Sequence, residues 1–499
     1  MKKLVTLFFI LLAGSSIAQK HKSSYNIDVT IKGIKDTTCY LGNYFFTETT
    51  GKFFVQDTAK VDSNGHMVFK KDTTLMGGLY IITVPNKGYF EFILSDEQHF
   101  SIATDTSDFV GNMKVVGSKE TALFNEFRQE MSKRYRVMIE ADKARKGKDD
   151  KATDAKIKGY QAELALFQEK FFKDNEGTLV VKLVKAAQDP VLPEAYRSPK
   201  NRQDTINTYN YYKDHFLDNI DLSDERLMRT PYLGSRLMSY MNFGGAESDT
   251  LIKYADNIMA RTAKASKAMR KAIIFYLTNQ YESGGDEKKM RIMGTEGVFV
   301  HLGKKYYIGE PTLWDSSTIS RFKERLATLE PVLLGKQVKN MYPTDSLGNY
   351  ITPLYDVKSK YTVLFIFDPN CGHCKEKAPK LVEWANTSKH KDLAKVYATC
   401  GLRGDQAMKD WKKFMKEHLK GFPPNRFYNG FDSKSHIDFR NWFDVVVYPV
   451  MYLLDKDKKV VGRGIGVGDL DGVIDMRERV EKFENEAKAK KLASSQGKK

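Results

Sequence analysis

The sequence predicts a multidomain protein with an all-β, sandwich-like N-terminal domain, a mostly α-helical central region and an α/β domain at the C-terminus. Three observations support this architecture. Short β-rich segments separated by turn residues fill residues 25–116, amphipathic segments with helical spacing follow as far as residue 334, and strand and helix patterns alternate from residue 361. A chain of 499 residues has room for roughly two to four domains.

In the N-terminal region, apolar and polar residues alternate as they do in strands with one buried face. Apolar and polar side chains alternate from Tyr25 to Ile31, which is typical of a strand with one face in a core. Turn sequences such as Asp62 to Gly65 and Pro85 to Gly88 separate several of the β-rich runs. This density of strands and turns predicts an antiparallel sandwich or barrel over residues 19–117.

The central region, residues 118–335, reads as a succession of helices. The predicted helices cover residues 120–144, 155–172, 265–282 and 316–330, and a further one begins near Ser248 and Asp249, with Asp249 as its cap. The region contains no HExxH sequence, no Walker A sequence and no paired Cys/His metal motif. The sequence therefore assigns it no chemistry of its own.

The first 18 residues have the pattern of a signal peptide. Lys2 and Lys3 precede an apolar run from Leu4 to Leu12, and small residues lead up to Ala18. The apolar run is shorter than the roughly 20 residues that a membrane-spanning helix needs. We therefore expect cleavage near Ala18 and a soluble, periplasmic protein, which ends in a basic tail at residues 488–499.

The charge and the cysteine content of the chain limit the kinds of partner and of fold that the protein can have. The net charge is +17, but the 80 basic residues are scattered among 63 acidic ones, so the charge indicates a solvated basic surface and not a nucleic-acid site. The chain has four cysteines, Cys39, Cys371, Cys374 and Cys400, too few for a disulfide-stapled scaffold of this length. The cysteines are thus available for chemistry.

Two of these cysteines form a Cys-Gly-His-Cys sequence between a strand and a helix. An apolar strand is predicted from Tyr361 to Phe367, and a helix begins at Cys371. The dipoles of a helix N-terminus stabilise a thiolate over a thiol, so Cys371 is the expected attacking sulfur. Cys374 lies one turn inside the helix and is the expected resolving thiol. A structural zinc site would need two further ligands, and no second cysteine pair supplies them.

The segment from Asp368 to Pro379 resembles a thioredoxin active site, and Val447 to Val450 resembles the cis-proline loop of that family. The resemblance covers about residues 340–485 and implies a thioredoxin-like fold, so we predict a thioredoxin-like domain at residues 336–487. It implies that Tyr448 and Pro449 bind an extended segment of the substrate. The multidomain layout is similar to exported thioredoxin-like reductases associated with cytochrome c maturation (TlpA/ResA-like).

The chain departs from this family at two places and resembles another branch at a third. Phe365 stands where thioredoxin has a buried aspartate, and Lys377 stands where related exported reductases carry a glutamate, so the proton acceptor for Cys374 is open. The central pair of Gly372 and His373 matches protein disulfide isomerases. An imidazole at this place stabilises the thiolate, which moves the reduction potential from about −270 mV toward about −180 mV.

The sequence thus predicts a periplasmic thiol–disulfide oxidoreductase with Cys371, Cys374 and His373 as catalytic residues, and without a metal or a diffusible cofactor. The expected partners are protein disulfides or dithiols and a membrane electron donor or acceptor. The alternative is an envelope polypeptide-binding protein that uses the thioredoxin fold as a scaffold. Cys400 follows the second predicted strand of this domain and is either a packed thiol or a third thiol able to exchange with the pair.

Overall fold

The computed structural model describes residues 24–46, 53–145, 150–245, 247–282 and 294–496, so the signal peptide expected at residues 1–18 lies outside the described residues. The chain divides into two compact units, Met1–Met238 and Ser239–Lys499. Among the helices in the described ranges, none combines the length and the apolar character needed to cross a membrane.

In the described part of the first unit, eight strands come first and form two four-stranded sheets, in the orders β4-β1-β7-β8 and β3-β2-β5-β6. The strands are β1 (Tyr25–Lys32), β2 (Thr38–Asn43), β3 (Phe54–Lys60), β4 (His66–Lys71), β5 (Gly78–Val84), β6 (Gly88–Leu94), β7 (His99–Asp105) and β8 (Lys114–Val116). Side chains of β1 alternate between buried and half-buried, and residues of both sheets share one apolar core. The predicted β-rich N-terminal region is confirmed.

Strand direction differs from the sequence prediction at one place. Strands β1 and β7 run parallel, with Ile27 opposite Phe100. The pairs β1–β4, β7–β8, β2–β3, β2–β5 and β5–β6 are antiparallel, as predicted. The alternation of apolar residues fixes which face of a strand is buried, but it carries no information on the direction of the neighbouring strand.

Helices follow the sheets in the first unit. They are α1 (Lys119–Lys143), α2 (Lys151–Asp174), α3 (Leu179–Ala187), α4 (Glu194–Arg197), α5 (Arg202–His215) and α6 (Pro231–Asn242), with the unit boundary inside α6. The hydroxyl of Ser118 accepts a hydrogen bond from the amide of Thr121 and so caps α1. Helices α1 and α2 pack together through Phe127 and Phe171, whose rings lie 4.8 Å apart.

The second unit begins with further helices: α7 (Ser248–Arg261), α8 (Lys267–Tyr281), α9 (Glu296–Leu302) and α10 (Ser316–Leu329). The helical middle of the chain is therefore confirmed. The boundary predicted after residue 335 lies within this unit. Glu247 occupies the cap position of α7, and Asp249, which the sequence predicts as the cap, lies in its first turn instead.

The rest of the second unit is a five-stranded sheet with helices. The strands are β9 (Tyr361–Phe367), β10 (Ala394–Cys400), β11 (Phe427–Phe431), β12 (Val450–Asp455) and β13 (Val460–Arg463). The helices are α11 (Gly372–Thr387), α12 (Asp405–His418), α13 (Phe439–Phe443) and α14 (Leu470–Gln496), the last of which extends into the segment predicted as a basic tail. The sheet order is β11-β10-β9-β12-β13.

Strand β9 lies at the centre of this sheet and is buried along its whole length. It is parallel to β10 and antiparallel to β12. Phe365 and Phe367 belong to the core that contains Cys374 and Leu381 of α11, while Ile366 belongs to the core on the other face. A sheet covered on both faces explains why β9 reads as a continuous apolar run. The end of β9 leads directly to the Cys-Gly-His-Cys sequence.

Candidate active site

Cys371 is the residue from which helix α11 begins. Its backbone is extended, with φ −72° and ψ 125°, and its carbonyl accepts a hydrogen bond from the amide of Lys375 over 3.2 Å. Its own amide donates to the carbonyl of Asp368, which closes a turn after β9. The side chain is half-buried. The free amides of the first helical turn therefore lie next to a thiol that solvent can reach.

Cys374 lies one turn further along α11 and is fully buried in the core beneath the sheet. Burial raises the pKa of its thiol to about 12, and the hydrogen bond with the Cys371 sulfur acts in the same direction. The amide of Asp368 opposes this by donating to the sulfur, while the charge of the Asp368 carboxylate raises the pKa further. Cys374 is therefore a protonated thiol at neutral pH and is shielded from substrates.

The loop before β12 is distant from the two cysteines in sequence but lies next to Cys371 in the structure. The Tyr448–Pro449 peptide bond is cis, as the resemblance implied. The thiol of Cys371 donates to the carbonyl of Tyr448 over 3.5 Å. The Tyr448 hydroxyl donates to the carbonyl of Gly401 over 2.9 Å, and a Cβ on Gly401 would lie 2.5 Å from the Tyr448 side chain. The structure thus brings together Cys371, Cys374 and Tyr448.

His373 lies between the two cysteines and is exposed to solvent. Its charge contributes to lowering the pKa of Glu376, although the hydrogen bond from Lys380 is the largest cause of that shift. The imidazole is therefore close to the first turn of α11 without being packed in the core. Solvent therefore partly screens the electrostatic interaction between its side chain and the neighbouring residues of the helix.

Asp368, which the sequence analysis does not single out, is the acidic residue that acts on the Cys374 thiol. Phe365, at the place of the expected aspartate, is fully buried among apolar side chains. The carboxylate whose charge reaches the Cys374 thiol belongs instead to Asp368, which is half-buried and accepts from the amide of Asn370 over 2.7 Å. Its position three residues before Cys371, in a turn, was the available signal. The charge of Asp368 also raises the pKa values of Cys400 and Tyr448.

Cys400 ends β10 and pairs in register with Phe367, the last residue of β9. It therefore lies at the sheet edge from which α11 starts. Its side chain is fully buried, and this burial raises the pKa of the thiol to about 12. Cys39 belongs to the first unit, where burial raises its pKa to about 11. Within the described ranges, no cluster of three or more His, Cys, Asp or Glu residues could hold a metal ion.

Comparisons with known proteins concern different parts of the chain. Residues 25–124 match a family described as a domain of unknown function (DUF4369). No curated protein is significantly similar to the chain in sequence. Similar solved structures include a thioredoxin-like protein from Bacteroides caccae, with 20% identity and a TM-score of 0.46, over 58% of this chain and 98% of that one.

Two further solved structures are similar to a smaller part of the chain. One is a domain of a possible thiol-disulfide isomerase from Cytophaga hutchinsonii, with 38% identity and a TM-score of 0.27, over 31% of this chain and 98% of that one. The other is the thioredoxin domain of a thiol-disulfide oxidoreductase from Bacteroides vulgatus, with 23% identity and a TM-score of 0.25, over 29% of this chain and 96% of that one. These three neighbours are thus a thioredoxin-like protein, a possible thiol-disulfide isomerase and a thiol-disulfide oxidoreductase.

Proposed function

We propose that residues 336–487 form a thioredoxin-like domain and that the protein is a periplasmic thiol–disulfide oxidoreductase acting on protein substrates. One observation carries the proposal: a half-buried thiol at the start of a helix lies beside a second thiol that is fully buried. This asymmetry is what dithiol–disulfide exchange requires, because one sulfur must meet the substrate and the other must be protected until the mixed disulfide has formed.

In the first step the Cys371 thiolate attacks one sulfur of a substrate disulfide. The S–S bond of the substrate breaks, a new bond joins Cys371 to the attacked sulfur, and the other substrate sulfur leaves as a thiolate that takes up a proton. The amides of the first turn of α11 stabilise the thiolate before attack. His373 assists as a partly screened positive charge when it is protonated.

In the second step Cys374 resolves the mixed disulfide. Its raised pKa means that the thiol must lose its proton to a base before it can attack. We assign this role to the carboxylate of Asp368, whose charge acts on the Cys374 sulfur. The Cys374 thiolate then attacks Cys371, the substrate leaves reduced, and two electrons have passed from the dithiol to the substrate. The reverse sequence oxidises a substrate dithiol, and neither direction needs a diffusible cofactor.

Tyr448 and Pro449 provide the surface for the substrate in this proposal. Tyr448 is held by its hydroxyl, and the preceding Val446 and Val447 have exposed fractions of 60% and 72%. An extended polypeptide segment next to the reacting disulfide can pack on these valines. A membrane electron donor or acceptor would reset the Cys371–Cys374 pair, and the expected signal peptide at residues 1–18 would bring the protein to the periplasm.

The test is insulin reduction with dithiothreitol as electron source. Wild-type protein is expected to catalyse it, Cys371→Ser is expected to be inactive, and Cys39→Ser, which changes a buried thiol of the first unit, is the matched control that keeps activity. If the wild-type protein reduces insulin no faster than Cys371→Ser does, the proposed oxidoreductase activity is wrong. The polypeptide-binding role would then take its place.

A further inference from the structure

A buried ion-pair cluster joins helix α10 to the loop that carries Tyr448. Asp444 follows α13 in a left-handed backbone conformation, with φ 47°, and its side chain is only 2% exposed. One carboxylate oxygen accepts from the guanidinium of Arg325 and, over 3.0 Å, from the hydroxyl of Thr328. Arg325 and Thr328 both belong to α10. A helix from the helical part of the second unit therefore holds a residue of the α/β part.

The other carboxylate oxygen of Asp444 accepts from Arg463 of β13. Arg463 also lies near Glu296 of α9, with 3.7 Å between its Nη1 and the Glu296 Oε1. The carbonyl of Phe443, one residue earlier, accepts from the Tyr452 hydroxyl. Residues 443–444 are thus held by contacts with α10, β12 and β13 together. The Asp444 carboxylate needs these partners, since an unpaired charge in a buried site has a large cost in desolvation free energy.

This anchor lies four residues before Tyr448. Val445, next to the anchor, is buried and its amide donates to the carbonyl of Phe439 over 3.3 Å, whereas Val446 and Val447 are exposed, so packing does little to hold these two residues. At its other end the loop enters β12, where Val450 pairs with Ile366. The path of the loop is therefore set by its start, which α10 fixes at Asp444, by the hydrogen bond of the Tyr448 hydroxyl to Gly401, and by its entry into β12.

We propose that Arg325 and Thr328 are positioning residues for the redox site. By fixing Asp444 they keep the Tyr448 carbonyl next to the Cys371 sulfur, and so α10 determines how the loop meets the substrate. The inference rests on the proposed function, since it assigns a role in the same site. Neither residue touches the reacting sulfurs.

The test compares Arg325→Leu with Arg321→Leu in the full chain. Arg321 lies one turn before Arg325 on α10, is exposed, and its guanidinium donates to the hydroxyl of Thr318 over 3.3 Å and not to Asp444. With a disulfide-bonded peptide substrate, Arg325→Leu should lower kcat/KM by about tenfold, mainly through KM, while Arg321→Leu stays at the wild-type value. The alkylation rate of Cys371 by iodoacetamide should change in Arg325→Leu but not in Arg321→Leu, because the thiol loses its hydrogen bond to the Tyr448 carbonyl when the loop moves. Wild-type KM in folded Arg325→Leu would overturn the proposal.

Thr328→Val removes one hydrogen bond to Asp444 and leaves the ion pairs in place. It decides the question if Arg325→Leu does not fold: a raised KM supports the proposal, and an unchanged KM overturns it. Amide hydrogen exchange of residues 445–448 provides a readout that does not depend on activity. If these amides exchange faster in Arg325→Leu or Thr328→Val than in Arg321→Leu, the positioning role is supported even if the wild-type protein lacks reductase activity. Equal exchange rates in these variants and in Arg321→Leu overturn it.

Discussion

The thiol of Cys371 donates a hydrogen bond to the main-chain carbonyl of Tyr448 over 3.5 Å, although 77 residues separate the two in sequence. The partner of this half-buried thiol is therefore a backbone atom, whose position depends on the loop and not on a side-chain rotamer. The Tyr448 hydroxyl holds this loop against Gly401. The site combines the end of β9, the start of α11 and the loop before β12.

Replacing Cys374 by alanine should trap the protein on its substrate. Cys371 remains able to attack, but no second thiol is available to break the mixed disulfide. We expect a stable covalent adduct between Cys374→Ala and a disulfide-bonded peptide, which mass spectrometry detects under non-reducing conditions. Cys371→Ser should give no adduct. An adduct formed through Cys374 in that variant would reverse the assigned roles.

Asp368→Asn separates two effects of the same carboxylate. If Asp368 acted only through its charge, its removal would lower the pKa of Cys374 and speed up resolution. As the proton acceptor, its loss should slow resolution at least about tenfold, because general base catalysis contributes about 10²–10⁴-fold. Single-turnover decay of the mixed disulfide measures this rate.

Asp410→Asn is the matched control for that experiment. Asp410 accepts from the Asn370 side chain, in the turn before Cys371, over 2.9 Å. Its charge acts on Cys400, and it is not among the groups that shift the pKa of Cys374. Asp410→Asn should resolve the mixed disulfide at the wild-type rate. Faster resolution in Asp368→Asn would show that the carboxylate hinders the reaction.

His373→Pro tests the similarity of the Gly372–His373 pair to disulfide isomerases. Without an imidazole to stabilise the thiolate, the reduced form loses stability and the couple becomes more reducing. We expect a change of tens of millivolts, where about 30 mV corresponds to about 1.4 kcal/mol for two electrons. Equilibration with glutathione buffers measures the potential. Because His373 is exposed, high salt should reduce the difference between the variant and wild type.

Local pattern predicts much of this architecture. The residues of β9 form one apolar run, and its observed bounds, Tyr361–Phe367, are those predicted. Strand β11, Phe427–Phe431, was missed because Asn429 and Gly430 interrupt any apolar alternation, and it is recognisable only by its pairing with β10. Strand identity within a buried sheet thus follows from composition, whereas an edge strand of mixed polarity depends on its neighbour.

The site was predictable to the extent that its residues are adjacent in sequence. Cys371 and Cys374 share one helical turn, and their unequal burial follows from that spacing. The role proposed for Asp368 depends on the turn after β9, which places its charge where it acts on the Cys374 thiol, and no periodicity encodes this turn. The contact between Arg325 and Asp444 spans 119 residues and joins two helices that carry no common motif. Such long-range contacts come from tertiary packing alone.

The buried thiol of Cys400 should make the stability of the reduced protein depend on pH in the alkaline range. Burial raises its pKa from 9.0 to about 12, so the folded state retains the proton after the unfolded chain has lost it. The stabilisation is complete below about pH 9 and decreases toward pH 12, by about 1.4 kcal/mol per pH unit. The difference in unfolding free energy between wild type and Cys400→Ala should shrink over this range. If the unfolding free energies of the two proteins change with pH in parallel, the pKa of Cys400 is not raised in the folded state.

Cys400 should also stay out of disulfide exchange. It lies at the same sheet edge as the redox pair, so the sequence left open a third exchanging thiol. Its full burial and raised pKa leave almost no thiolate at neutral pH, as for Cys374, but Cys374 has a hydrogen bond with the Cys371 sulfur, whereas Cys371 is not among the groups that shift the pKa of Cys400. After diamide treatment, mass spectrometry should find the Cys371–Cys374 disulfide and an unmodified Cys400. A disulfide from Cys400 to either cysteine would mean that the end of β10 opens often enough to expose this sulfur, and that the protein holds three redox-active thiols.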